Sequence, residues 1–125
     1  MSIIDQATNH YLNQEKLVIS VPEWGTNGNP LQIHVFPMTM AEINMIQKMA
    51  KKDASSIEHA ANIIIVKARD LDGNRLFKLE DKDALMNKAD YRVITKITEA
   101  IESRFFSEVE THKANLRGSQ SAIVS

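Results

Sequence analysis

Apolar and polar residues alternate in two stretches near the start of the chain, and a period of two is typical of β-strands. The alternating apolar positions are Leu17, Ile19 and Val21 in the first stretch and Leu31, Ile33 and Val35 in the second. Residues 22–30, between them, hold most of the glycines and prolines of the chain. The pattern therefore predicts a β-hairpin over 16–36, closed by a wide loop.

After the hairpin, apolar residues recur at steps of three and four, which is typical of amphipathic helices. Four helices are predicted, over about 40–52, 56–69, 81–87 and 88–106. Thr39 and Glu42 before the first helix, and Ser55 and Glu58 before the second, have the spacing of an N-terminal capping box. The fold class is therefore α+β, mainly α, with a hairpin followed by a bundle of about four helices.

The second predicted helix has the widest apolar stripe and is expected to be the most buried. The positions of that stripe are Ile57, Ala60, Ala61, Ile64, Ala68 and Leu71, with Ile63, Ile65 and Val66 beside them. Asp72-Gly73 follows, and this dipeptide favours a tight reversal of the chain.

The chain has 125 residues, which is enough for one domain, placed here at 16–106. Residues 1–15 form an N-terminal arm that is either a short helix or a loose segment. Residues 107–125 are mostly polar, with four Ser and two Glu, and we expect a flexible tail there.

Composition narrows the classes of function. Lys and Arg total 15 against 16 Asp and Glu, so a net charge of -1 provides no overall basic field for nucleic acid or an anionic membrane. The chain has no Cys, which excludes disulfides and thiolate sites. No signal peptide is predicted, and the longest apolar run, 63–66, is too short to cross a membrane. A cytoplasmic protein is predicted.

Candidate catalytic and metal-binding residues are sparse. His34, on the polar face of a strand, and His59, on a helix flank, have no second ligand at metal-binding spacing. Residues 70–74 resemble the start of a calcium loop, but Gly73 stands at the fourth position instead of the sixth, and Asp81 replaces the bidentate Glu. The sequence therefore predicts no catalytic site, no metal and no cofactor.

Five residues are candidates for protein binding. They are Trp24 in the hairpin loop and Met38, Met40, Met45 and Met49 around the first predicted helix. Methionine fills irregular gaps in cores and also adapts to varied apolar partners, so both roles stay open. Trp24 either folds back on the hairpin or anchors a contact. We hypothesise that the Met38–Met49 segment, together with the hairpin edge, forms a client-binding or self-assembly surface.

Several short sequence motifs follow one another along the chain. Val21-Pro22-Glu23-Trp24-Gly25 is followed by Val35-Phe36-Pro37-Met38-Thr39, then by 70–77, and then by Glu80-Asp81 before the final helix. In this order the chain, over about residues 16–106, resembles the tail assembly chaperones of long-tailed (siphovirus-type) bacteriophages and prophages.

The resemblance implies a non-catalytic protein of the bacterial host cytoplasm that is absent from the finished particle. Members of this family bind the tape measure protein, keep its apolar helices soluble and help to recruit tail tube protein around it. The resemblance also implies self-association, and it raises the possibility of a longer form made by ribosomal frameshifting.

Two other functions remain open from the sequence. A small phage or prophage nucleic-acid-associated regulator would use Lys48, Lys51 and Lys52, although the net charge disfavours it. A structural tail or head-completion protein would differ from a chaperone in staying in the particle.

Overall fold

Residues 2–51, 53 and 55–105, which the computed structural model describes, form five α-helices and one pair of antiparallel β-strands. In chain order they are α1 (Ile3–Asn13), β1 (Leu17–Thr26), β2 (Asn29–Val35), α2 (Met40–Met49), α3 (Ser56–Lys67), α4 (Lys82–Asn87) and α5 (Tyr91–Phe105). A 3-10 turn, Leu79–Asp81, leads into α4. The predicted α+β, mainly helical fold is confirmed, whereas the predicted tail, 107–125, lies outside the described residues.

The hairpin is closed by two residues, so the predicted wide loop is wrong. Asn27 and Gly28 both have positive φ, 50° and 78°, as the tight turn of a two-residue hairpin requires. β1 therefore continues to Thr26, with a register irregularity between Val21 and Thr26. The many glycines and prolines of this region mark a bulged strand and a tight turn.

Both edges of the hairpin carry additional hydrogen bonds. On β2, His34 exchanges backbone hydrogen bonds of 2.8 and 3.0 Å with Arg69, which follows α3. On β1, the carbonyl oxygen of Ser20 accepts a hydrogen bond of 3.1 Å from Lys96 Nζ of α5. The short sheet is thus tied to the helices on either side.

Side-chain caps explain where the helices begin. Ser2 and Asp5 form a capping box that starts α1, so the N-terminal arm is a helix. Thr39 and Glu42 form the predicted box at α2. At α3, Ser55 accepts the Glu58 amide as predicted.

The first two predicted helices end earlier than predicted, whereas the third ends at Asn87 as predicted. The first predicted helix, 40–52, ends at Met49, and the second, 56–69, ends at Lys67. The second ends there because the backbone of Arg69 forms an antiparallel bridge with His34 and cannot continue the helix. The predicted helix 88–106 begins only at Tyr91, where the Asp90 carboxylate accepts the Arg92 amide at 2.8 Å. The predicted last residue, 106, lies outside the described residues.

α3 is the centre of the core, which confirms that it is the most buried helix. Every residue from 61 to 67 is buried, and α2, α4 and α5 all contact this helix. Ile63, Ile64 and Ile65 are at most 3% exposed, and burial of each contributes about 1.5–3 kcal/mol. Ile57 and Leu71, which were predicted to lie in the same stripe, are 50% and 68% exposed.

The N-terminal helix is held by few contacts. The Tyr11 hydroxyl donates a 3.0 Å hydrogen bond to the carbonyl oxygen of Pro37, and Arg104 bonds the Glu15 carbonyl oxygen just after α1. No residue of α1 is buried. Among the described residues, no helix has both the length and the apolarity needed to cross a membrane.

The hairpin geometry predicts a large difference between two glycine substitutions. A Cβ at Gly25 would overlap the backbone oxygen of Asn29, whereas a Cβ at Gly28 would meet nothing and would only be strained by the positive φ. We expect Gly25→Ala to lower the free energy of unfolding by about 3 kcal/mol and Gly28→Ala by about 1 kcal/mol. Urea unfolding measures both, and equal losses would contradict the close strand approach at Gly25.

Candidate functional site

The structure distributes the five predicted protein-binding residues over different surroundings. Trp24, Met38 and Met49 are partly buried and pack against the core. Met40 is 88% exposed and Met45 is 38% exposed. The four methionines therefore do not form one exposed surface, because Met40 and Met45 are exposed whereas Met38 and Met49 pack against the core.

A groove lies between the hairpin and α4, and it is called here the Trp24 groove. It has a volume of about 410 Å³ and is lined by Trp24, Leu76, Phe77, Asp81, Ala84, Leu85, Lys88 and Ala89. The rings of Trp24 and Phe77 meet edge to face, with centroids 6.1 Å apart and planes at 75°. Because most of its lining is apolar, with Asp81 and Lys88 at the polar positions, the groove suits an apolar side chain of a partner.

Sequence reasoning found Trp24 but missed the other aromatic wall. Phe77 reaches the groove because the tight turn at Asp72-Gly73 returns the chain alongside the end of α3, where the Leu76 amide bonds the Ala68 carbonyl oxygen at 3.1 Å. The predicted reversal is confirmed, since Gly73 has a φ of 87°.

The outer face of α2 is a second exposed surface, the α2 face. It surrounds a depression of about 550 Å³ and is lined by Met40, Ala41, Ile43, Asn44 and Gln47. Their spacing of three and four places these residues on one side of the helix. Met45 lies away from them, and its sulfur accepts a 3.4 Å contact from the Arg75 guanidinium.

A buried ionic cluster, the Glu42 cluster, lies beneath α2 and was not anticipated. Lys67 is fully buried, and its Nζ is 2.9 Å from Glu42 Oε1. The other carboxylate oxygen of Glu42 is 3.4 Å from Arg69. The Thr39 amide donates to Glu42 at 3.0 Å, and Lys67 also donates to the Pro37 carbonyl oxygen at 3.3 Å. Both oxygens of Glu42 are therefore occupied by structural partners.

The surroundings of this cluster shift three pKa values. Burial would raise the pKa of Glu42, but the hydrogen bonds and charge of Lys67 and the bonds from Thr39 outweigh it and hold the pKa below 4.5. Burial lowers the pKa of Lys67 from 10.5, with the Glu42 carboxylate opposing the shift. Burial and the charge of Glu42 raise the pKa of Tyr11. The cluster stabilises the packing of α2 against α3 and against Pro37, which follows β2.

A second ion pair joins α3 to the segment that carries α4. Lys82 Nζ lies 2.6 Å from Glu58 Oε1 and also donates to the Met49 carbonyl oxygen at 3.5 Å. Glu58 had been predicted to reach back to its own capping residue. It binds Lys82 instead, and this contact ties the first residue of α4 to α3.

The histidines and the calcium-like loop have local roles in the structure. His34 is half-buried, its Nδ1 has no hydrogen-bond partner among the described residues, and His59 is exposed. Asp70 accepts the amides of Asp72 and Asn74, each at 2.9 Å, and these bonds lower its pKa. Over the described ranges, no three His, Asp or Glu side chains are grouped to hold a metal ion.

The lysines considered for nucleic-acid binding lie at the end of α2. Lys48 and Lys51 are exposed, whereas Lys52 lies outside the described residues. Lys48 is in the last turn of α2, where a cation complements the exposed carbonyl groups of the helix.

Comparison with known proteins identifies no similar protein. The sequence matches no protein-family model, and no significant match was found among curated proteins or solved structures. The candidate surfaces therefore rest on the geometry of this chain.

The Glu42 cluster predicts acid-sensitive stability. Folding lowers the pKa of Glu42 below 4.5. The ionised carboxylate therefore contributes fully to the free energy of unfolding above pH 4.5, and this contribution is lost as the pH falls through the lower pKa of the folded state. We expect Glu42→Gln to cost about 3 kcal/mol at pH 7, because Lys67 is left buried without its partner.

Chemical denaturation at a series of pH values measures the free energy of unfolding of the wild type and of Glu42→Gln. The wild type should lose stability more steeply than Glu42→Gln below pH 4.5. Glu80→Gln, at an exposed position, is the matched control and should keep the wild-type profile. Parallel curves for the wild type and Glu42→Gln would contradict the role of the cluster.

Proposed function

We propose that this protein is a non-catalytic phage tail assembly chaperone, which binds the tape measure protein in the host cytoplasm and helps to recruit tail tube subunits. The Trp24 groove is the observation that carries the proposal. The phage context comes from the resemblance of residues 16–106 to that family.

The Trp24 groove has the chemistry that a chaperone for apolar helices needs. Leu76, Phe77 and Leu85 provide an apolar lining, and the edge-to-face contact with Phe77 holds Trp24 in place. An amphipathic helix binds such a groove by inserting apolar side chains spaced by three or four residues. A rigid aromatic wall also loses little conformational entropy on binding, which favours affinity from a small contact.

The α2 face supports the same role with a more adaptable side chain. Met40 is 88% exposed at the start of the helix, beside the depression that Ile43 also lines. An unbranched thioether can repack against apolar side chains of different shapes. A chaperone that binds many segments of one long client benefits from this tolerance.

Self-association belongs to the proposal, and α1 supplies a surface for it. Ile4 and Leu12, which are eight residues apart and lie on the same side of α1, are 68% and 73% exposed, although α1 is a well-capped helix. Covering these side chains against a second copy would remove apolar area from water. Several copies along one client would then add their weak contacts together.

Co-expression with the tape measure protein of the same phage or prophage tests the function. We expect the wild-type chain to keep the tape measure protein in the supernatant and to co-purify with it. Trp24→Ala and Met40→Glu should each weaken this severalfold, because contacts at the centre of an interface contribute most of the binding energy. Leu71→Ala is the matched control, since Leu71 is 68% exposed in a turn and lines neither surface.

The outcomes separate function from site. An insoluble tape measure protein despite co-expression would contradict the chaperone function. Full activity of both variants would leave the function standing and show that the Trp24 groove and the α2 face are not the binding surfaces. Mass spectrometry of purified virions adds a further check, because a chaperone is absent from the particle whereas a structural tail protein is present.

A further inference from the structure

The side chain of Asn62 lies in the core without a protein partner. Asn62 is in the middle of α3 and is 0% exposed. Among the described residues, no group forms a hydrogen bond with its Nδ2 or its Oδ1 atom. An Asn amide offers two donor hydrogens and an oxygen with two lone pairs. Donor and acceptor groups are therefore both buried and unsatisfied by the protein.

The other buried polar and charged side chains in the described part of the chain have partners. They are Glu58, Lys67 and Thr98. Glu58 and Lys67 form ion pairs of 2.6 and 2.9 Å, and the Thr98 hydroxyl donates to a backbone carbonyl oxygen at 2.8 Å. Asn62 is therefore the exception in a core whose other polar side chains are satisfied.

The neighbouring residues of α3 cannot supply the missing hydrogen bonds. Ala61 and residues 63–66 are apolar and buried. The backbone amides in the interior of a helix donate to carbonyl oxygens one turn earlier, so they are not available either. Each carbonyl oxygen, however, keeps a second lone pair. A small molecule beside Asn62 can therefore bond both the side-chain amide and the backbone.

The burial of this amide points to a bound molecule. A buried amide with no partner destabilises the folded state relative to an apolar side chain of the same size. Native proteins satisfy most such groups, and internal water molecules bond those that no protein group reaches. We therefore expect the Asn62 amide to have a partner that is not part of the chain.

Size and charge restrict this partner to water. Asn62 lines neither the Trp24 groove nor the α2 face, so a larger ligand has no access from either surface. A metal ion would need several ligands, and over the described ranges no three His, Asp or Glu side chains are grouped to hold one. Water is neutral, and like the amide it both donates and accepts hydrogen bonds.

A polar contact near the surface lies one helical turn from Asn62. Glu58 precedes Asn62 by four residues, so both lie on the same side of α3, about 6 Å apart along the helix axis. The side chains of Glu58 and Lys82, which form an ion pair, are 11% and 18% exposed. The site is therefore close to a partly exposed polar contact through which water can exchange.

We infer that Asn62 binds at least one internal water molecule in the core, through hydrogen bonds from Nδ2 and to Oδ1. The water supplies the partner that the protein does not, and it can donate to the second lone pair of a nearby carbonyl oxygen. The inference does not depend on the chaperone function or on either proposed binding surface.

Magnetic relaxation dispersion of the water oxygen nucleus tests the inference with the full chain, because it counts water molecules that stay bound for longer than the protein takes to tumble. Asn62→Leu removes both polar atoms at nearly constant size, and we expect the count to fall by at least one. Thr98→Val is the matched control, because it removes a buried polar atom that has a protein partner. It should keep the wild-type count, and thermal unfolding establishes that both variants are folded.

Nuclear Overhauser measurements on the isotope-labelled wild type give a second readout that requires no variant. The side-chain amide protons of Asn62 should show cross-peaks to water with the sign of a long-lived complex. The exposed Asn87, whose amide bonds the Asp83 carbonyl oxygen at 3.1 Å, is the control and should lack such cross-peaks.

An unchanged water count in Asn62→Leu would overturn the inference. Absence of long-lived water cross-peaks at Asn62 would also overturn it, since the amide would then be buried dry. An equal fall of the count in Thr98→Val would overturn the assignment to Asn62, by showing that any change in this core releases water.

Discussion

The packing of α2 against α3 depends on the pairing of one buried ammonium group. Lys67 is fully buried at the end of α3, directly after the buried apolar residues 63–66, where an unpaired charge would be strongly destabilising. Its 2.9 Å contact with Glu42 and its bond to the Pro37 carbonyl oxygen fix the start of α2 against the end of α3. The capping box at Thr39 uses the same Glu42 carboxylate. Helix initiation and tertiary packing are thus satisfied by one carboxylate.

The sequence predicts those elements that are determined by neighbouring residues. The hairpin strands follow from the period of two, and the starts of α2 and α3 follow from Thr39 and Ser55 as capping residues. The glycine and proline content of 22–30 favours a wide hairpin loop, whereas the Asn27-Gly28 dipeptide favours the two-residue turn that the structure has. That signal was present in the sequence.

Other features depend on contacts between distant residues, which periodicity cannot reveal. α3 ends at Lys67 because Arg69 pairs with His34, 35 positions earlier in the chain. Phe77 lines the Trp24 groove only because the turn at Gly73 brings the following residues back alongside the end of α3. Composition identified methionine as the adaptable residue type, but only packing distinguishes Met40, on the surface, from Met49, against the core.

The edges of the hairpin bear on the behaviour of the protein at high concentration. An open strand edge can pair with another chain and seed aggregation. Arg69 already pairs with β2 at His34, while on β1 Lys96 bonds the carbonyl oxygen of Ser20 and Pro22 has no amide hydrogen to donate. The small sheet is therefore a poor template for added strands. Any association with another chain would therefore use side-chain surfaces and not the strand edges.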